Sequence, residues 1–248
     1  LPLELDDPLL ADRNVRLGLH HSMNFELMLS GLLRGDYERL RDAYDGYGDY
    51  SNPNIAPRRF DLDKAEEDFA IAGWEQRGPD GIRVKDGQRL ALSIVYPQQE
   101  HTPRLVVLRE EARKAGVELN LELRDASAFV KQILEKQHQI AWMAWSVNPF
   151  PVFWEMYHSE NAHKPQTNNI TNTDDVGLDA LIIAQRDATD RATRVNLARE
   201  IEQRLYDMAQ FTPAYKAPYA READWRRTPA SGPPLGPRAS PGRSKSSH

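Results

Sequence analysis

Between residues 61 and 148 the apolar positions change period in a fixed order. Asp61 heads an amphipathic run, Ala65 to Ala72, that stops at Gly73-Trp74, the cap, stripe and stop of an α-helix. A Gly-rich link, Gly78-Pro79-Asp80-Gly81-Ile82, leads to Leu90, Leu92, Ile94 and Tyr96, which alternate with smaller residues and predict a strand with two partly buried faces. Leu105, Leu108, Ala112 and Ala115 then share one helical stripe, ended by Gly116. Val117, Leu119, Leu121 and Leu123 alternate with Glu118, Asn120, Glu122 and Arg124, which predicts a strand with one wet face. Ser127 is the expected cap of a helix carrying Phe129, Val130, Ile133 and Leu134, and the apolar run 140–145 reads as the next strand. A β-α-β-α-β order demands right-handed crossovers and a largely parallel sheet. The region is therefore expected to be α/β.

Flanking segments add helices. Asp12 is a candidate N-cap for a helix through Val15, Leu17, Leu19 and Met23, and a second helix runs from Asn24 or Phe25 to Leu33, closed by Gly35. Residues 42–60 are rich in turn residues and are expected as a surface loop, with its tyrosines packed onto the domain. After the Asn-rich link 168–172, one helix is expected from about Asp174 to Arg186 and another with Val195, Ala198, Ile201, Leu205 and Met208 on one face. A short extended segment follows at 211–215. Three parts result: a helix pair and loop at 1–60, an α/β lobe at 61–220, and a tail at 221–248. From Thr228, Pro, Gly and Ser supply 13 of 21 residues, too little apolar surface to fold, so disorder is expected there.

Composition narrows the function. The chain has 248 residues and a net charge of −5, which gives no basic field for nucleic acid. With no cysteine there is no disulfide, thiolate metal site or cysteine nucleophile. No apolar stretch approaches the roughly 18 residues that span a bilayer as a helix. The start is acidic, lacks a Met and is not a signal peptide, so the chain reads as a fragment or a processed piece. No G-x-S-x-G, P-loop, G-x-G-x-x-G or H-E-x-x-H occurs. His20 and His21 are adjacent and diverge on a helix, and His158 and His163 lack an identifiable third metal ligand. The acidic clusters at 66–68 and 110–111 read as solvated helix faces. Neither an enzyme nor a metal or cofactor site is expected.

Ligands of open α/β sheets settle beyond the carboxyl ends of the strands. Three such ends occur: Tyr96-Pro97-Gln98-Gln99, Asp125-Ala126-Ser127 and Trp145-Ser146-Val147-Asn148-Pro149. The last joins a stacking ring, a hydroxyl and an amide. Trp145, Ser146, Asn148 and Tyr96 are the candidate ligand contacts; the alternative is that Trp145 packs in the core while Ser146 and Asn148 cap.

The same stretch carries a family resemblance. FDLDKAEEDFAIAGW, the following Asp80-Gly81-Ile82, and ARKAGVELNLELRDASAF resemble the second lobe of family 5 extracellular solute-binding proteins, the dipeptide, oligopeptide and nickel receptors of ABC importers. DRNVRLGLHHSMNFELMLSGLLRGDYERL resembles that family's helix pair, and residues 178–219 resemble its closing helices and Pro-Tyr strand. The resemblance covers about residues 12–220. It implies a periplasmic-binding-protein-like (type II) lobe with a mixed, largely parallel sheet flanked by helices. It further implies a monomeric, periplasmic or extracellular receptor that binds a peptide or peptide-like solute and delivers it to the permease subunits in the membrane. Two features depart from the family pattern. Its large first lobe has no counterpart here. Peptide-binding members place an Asp shortly after the strand-end Trp to pair with the peptide's amino group, and this chain has Asn148. An amide cannot make that charge-assisted bond, which leaves blocked, modified or non-peptidic ligands open. The rival expectation is a truncated α/β interaction domain without transport function.

Overall fold

The computed structural model describes residues 1–144 and 150–218, all within one unit, Leu1–Pro218. In chain order the elements are α1 (Arg13–Ser22), α2 (Phe25–Leu32), β1 (Glu38–Arg39), α3 (Leu62–Ile71), β2 (Gln76–Arg77), β3 (Arg83–Lys85), β4 (Gln88–Arg89) and β5 (Ala91–Tyr96). There follow α4 (Thr102–Lys114), β6 (Glu118–Leu123), α5 (Ala126–Leu134), β7 (Ile140–Ala141), α6 (Trp154–Tyr157), α7 (Val176–Asp187), α8 (Arg191–Met208) and β8 (Tyr215–Lys216).

Caps explain where the helices begin. Asp12, Asn24, Asp61, Asp175 and Asp190 each accept a backbone N–H of the first turn that follows, satisfying a donor the helix itself cannot pair. At α5 the expectation fails in a small way. Asp125, not Ser127, is the cap, and its carboxylate accepts from the N–H groups of Ser127 and Ala128, both at 3.0 Å. A carboxylate two residues earlier reaches two orphan donors, where the Ser127 hydroxyl would already lie inside the helix.

β5 is the centre of the main sheet, paired in parallel with β6 on one side and β7 on the other. Ile94 faces Leu121 and Ile140 across the two ladders. Because successive side chains of a strand point to opposite faces, Leu92, Ile94 and Tyr96 enter one core while Val95 enters another. The first core also takes α1 through α4: Val15, Leu19, Phe25, Met28, Phe69, Leu105 and Leu108 are all buried there. The second is small: Val95 and Ala141 meet Phe129 and Ile133 of α5, with Ile170. The two crossover helices therefore cover opposite faces of the sheet.

Three features in and around the sheets depart from the sequence reading. The link around 78–82 is not a plain connector; β2, β3 and β4 form an antiparallel meander over it. The strand expected at 140–145 stops at Ala141: Trp142 N–H still bonds Val95 O at 2.9 Å, but β5 ends one residue later, so no partner backbone remains. The acidic start becomes part of the sheet. Leu3 bridges Ile140 antiparallel, Pro2 bridges Phe211, and Leu1 and Leu3 are buried, which makes the sheet mixed.

A third core lies under α7 and α8, built from Leu178, Ile182, Val195, Ala198, Ile201 and Leu205 with Phe153 and Tyr157. Tyr44 and Tyr50 of the 42–60 segment are buried in it, so much of that segment is interior packing and not a surface loop.

Candidate functional site

β5 leads through α4 to β6 on one side, and β6 leads through α5 to β7 on the other. Where neighbouring strands send their connections to opposite faces, the loops part and leave a crevice at the carboxyl ends. A cavity of about 380 Å³ occupies that place, between the ends of β5 and β7. Pro97 and Gln98 line it from the end of β5, Trp142, Met143 and Ala144 from the end of β7, and Ala126 and Phe129 from α5. Tyr215 and His101 close it from the side.

The aromatic wall is held in place by hydrogen bonds and ring contacts. Trp142, 6% exposed, donates its indole N–H to His101 Nδ1 at 3.0 Å. The His101 ring meets the indole edge-on, at a centroid distance of 6.0 Å. Tyr215 packs against Trp142 at 6.0 Å and edge-on to Tyr37 at 5.1 Å, and its hydroxyl accepts from Arg104. Burial, with Arg104 close by, pushes the His101 imidazole below its ordinary value, while Glu100 opposes weakly. Burial raises the Tyr215 phenol, with Arg104 acting against it. At neutral pH the wall is thus uncharged, apart from Arg104 at its edge. A mostly apolar pocket with a few placed polar groups suits reversible binding. Among the described residues, no group of three or more His, Asp or Glu side chains could hold a metal.

Of the residues singled out from sequence, Trp145, Ser146 and Asn148 lie outside the described residues. Tyr96 is 3% exposed at the end of β5, with its hydroxyl 2.8 Å from Thr102 Oγ1. It ties the strand end to the first turn of α4 and sits directly before the lining residues Pro97 and Gln98. His101, Trp142 and Tyr215 were missed as site residues. The signal for Trp142 was present: had β7 been ended where β5 runs out, the first residue past the strand would have been Trp142. Tyr215 and His101 carry no local signature, because a distant segment brings Tyr215 to the cavity.

The mixed, mainly parallel sheet with covered faces and a crevice at its switch point is the fold of a lobe of a type II periplasmic binding protein, as superposition on solved structures shows. The model for bacterial extracellular solute-binding proteins, family 5 middle region, matches residues 1–164, and the chain belongs to that family. The oligopeptide-binding protein AppA of Bacillus subtilis is 26% identical over 162 residues, covering 63% of this chain and 30% of its own length. A putative binding protein of Brucella melitensis is 22% identical over 265 residues, covering 91% of this chain and 43% of its own. Among solved structures, AppA in complex with a nonapeptide superimposes with a TM-score of 0.80 at 23% identity, over 86% of this chain and 43% of that one. NikA of Brucella suis in complex with Fe(III)-EDTA superimposes with a TM-score of 0.75 at 21% identity, over 87% of this chain and 44% of that one. The chain thus spans less than half the length of these relatives. The family is one of solute-binding proteins, not of enzymes.

Proposed function

We propose that this chain supplies one wall of the solute site of an ABC importer's substrate-binding component. In this reading the unit Leu1–Pro218, with α1 and α2 packed into its core, is the second lobe of a receptor that captures a peptide or related solute outside the cytoplasmic membrane and delivers it to the permease. The observation that carries the reading is the cavity between the ends of β5 and β7, walled by Trp142, Tyr215 and Gln98. Aromatic faces and an amide at a switch point suit a ligand with apolar side chains and peptide-like carbonyl and amide groups. The nonapeptide held by AppA and the metal chelate held by NikA show how widely ligands vary within this fold.

Closure of a facing lobe would shift an open–closed equilibrium, with the wall residues making contacts in the closed state that the open state lacks. Trp145, Ser146 and Asn148 are proposed as further contacts on sequence grounds, with Tyr96 behind them tying the end of β5 to α4. Trp145 to Asn148 follow Ala144, a lining residue, directly in the chain. Asn148 in place of an acid favours ligands without a free amino group to pair.

Titration calorimetry tests the reading, with pentaalanine in its free and N-acetylated forms. Binding that Trp142→Ala weakens by about tenfold or more is the expected result, the acetylated form binding at least as well. Binding untouched by Trp142→Ala would remove the cavity from the solute site.

A further inference from the structure

We propose that His101 is the positioning and specificity residue of this cavity, holding Trp142 as its wall through Nδ1 and presenting Nε2–H to a hydrogen-bond acceptor on the solute. The inference rests on the cavity being the solute site. It begins from the chemistry of the indole, which can only donate. At 3.0 Å from Trp142 Nε1, the Nδ1 atom of His101 must be the acceptor. An imidazole with its lone pair on Nδ1 carries its proton on Nε2. That nitrogen has no protein partner among the described residues, and the ring that bears it lines the cavity. The wall therefore holds a donor of fixed position, which suits a peptide carbonyl or a carboxylate and gives nothing to an ammonium group.

The same bond makes the wall sensitive to acid. A protonated ring has donors on both nitrogens, so the indole N–H would face another N–H. Trp142 is almost fully buried, and a buried indole N–H left without an acceptor is destabilising. The ring would have to turn or the indole to leave. The groups around His101 set how readily this happens. Arg104, on α4 one turn beyond His101, opposes a second positive charge, and Glu100, beside it in the chain, favours one. Tyr215, facing from β8, is a phenol whose hydroxyl is already engaged by Arg104. Trp142, following β7, brings no charge. Burial and Arg104 outweigh Glu100, so the imidazole is neutral at pH 7 and charges only below its ordinary range.

The test uses the whole 248-residue chain labelled with ¹⁵N, and the indole N–H resonance of Trp142 assigned by its loss in Trp142→Phe. The resonance should stay in its hydrogen-bonded position at pH 7.5 and move in a single step as the pH falls below the ordinary histidine range. His101→Gln supplies a side-chain oxygen to accept the indole proton and an amide to donate, without titrating. It should keep the resonance and abolish the step. His101→Phe, which can do neither, should displace the resonance at every pH. In calorimetry with N-acetyl-pentaalanine, affinity should fall about fivefold to tenfold in wild type across that same acid step, as the turning ring carries its Nε2–H away from the solute. His101→Gln should bind nearly as well as wild type at pH 7.5 and lose nothing in acid, while His101→Phe should be weaker in both conditions. A Trp142 resonance that ignores pH from 7.5 to 4.5, or the same step in His101→Gln, overturns the proposal. An intact step with peptide binding that neither His101→Phe nor Trp142→Ala changes supports the His101–Trp142 lock and overturns the solute-site reading beneath it.

Discussion

The first core and the third are built by different means. Under α1 to α4 the interior is apolar residues at helical or strand spacing, and Arg83, 1% exposed, is held there chiefly by backbone carbonyls. The Arg83 side chain gives hydrogen bonds to Ala115 O and Trp74 O, pairs with Glu66 and lies 4.9 Å over the Phe69 ring. Under α7 and α8 the aliphatic faces of two helices pack against three tyrosines, two of them from a folded-in loop, and the core is edged by acids. Glu202 is 2% exposed and Asp42 6% exposed, and each accepts a single backbone N–H, from Asn52 and Tyr44 respectively. The second oxygen of each carboxyl has no partner, and neither has the amide nitrogen of Gln210 beside them. A cavity of about 30 Å³ lies among these three residues. The contrast teaches that a core assembled from regular elements can satisfy its polar groups through the backbone. A core that swallows a loop must hold titratable side chains that the loop brings with it.

The sharpest break of the comparison is Phe69→Ala. Phe69 is fully buried, and its ring fits against Gly18 so closely that a Cβ there would lie 2.6 Å away. Denaturant unfolding should show a loss of about 3–5 kcal/mol; a loss below about 1 kcal/mol would mean that the first core is loosely packed.

Acid–base behaviour should separate the cores next. Burial, with Asp42 nearby, pushes the Glu202 carboxyl up to about 8, from an ordinary value near 4.5. The folded chain thus holds a proton that the unfolded chain releases. This contribution is fully present below about pH 4.5 and is lost as the pH rises through about 8. Glu202→Gln keeps the acceptor for Asn52 N–H and removes the titration. Relative to that variant, wild-type stability should fall by a few kcal/mol between pH 5 and 8.5, and parallel curves would refute the buried neutral acid.

Asn52 anchors the swallowed loop. Its side chain donates to Arg199 O at 3.1 Å and accepts from Asn54 N–H at 2.9 Å. Asn52→Ala should cost about 1–2 kcal/mol and, unlike Phe69→Ala, should raise protease sensitivity within 42–60 first. The smallest effect lies outside both cores. Asp125→Ala should cost about 1 kcal/mol as the loss of a helix cap, and Ser127→Ala less than about 0.5 kcal/mol. The reverse order in thermal unfolding would restore Ser127 as the cap.

Much of the first core was legible because one segment after another carries its own period. Phe69, Leu92, Ile94, Leu105 and Leu108 sit where the spacing put them, and all are buried. The third core was half legible. Val195, Ala198, Ile201 and Leu205 declared the inner face of α8, but nothing around Tyr44 and Tyr50 says that α8 will cover them. The meander at β2 to β4 was hidden because its strands are two or three residues long, with Gly and Pro between them. The cavity was legible in place and not in composition. The order of strands and helices offers three strand ends, of which those of β5 and β7 border the cavity, yet the lining rings of Tyr215 and His101 arrive from a short extended segment and from a stretch to which no role was given.

By itself the sequence determined the α/β class, the parallel order, several of the helix caps and the family, since each is written in spacing between near neighbours or in motif order. Tertiary structure alone decided that the acidic start would pair with Ile140 and that β7 would end at Ala141. It also decided that His101, Trp142 and Tyr215 would meet, and that Glu202 and Asp42 would share a buried corner. Those outcomes depend on which surfaces far apart in the chain exclude water together, and no local period encodes that.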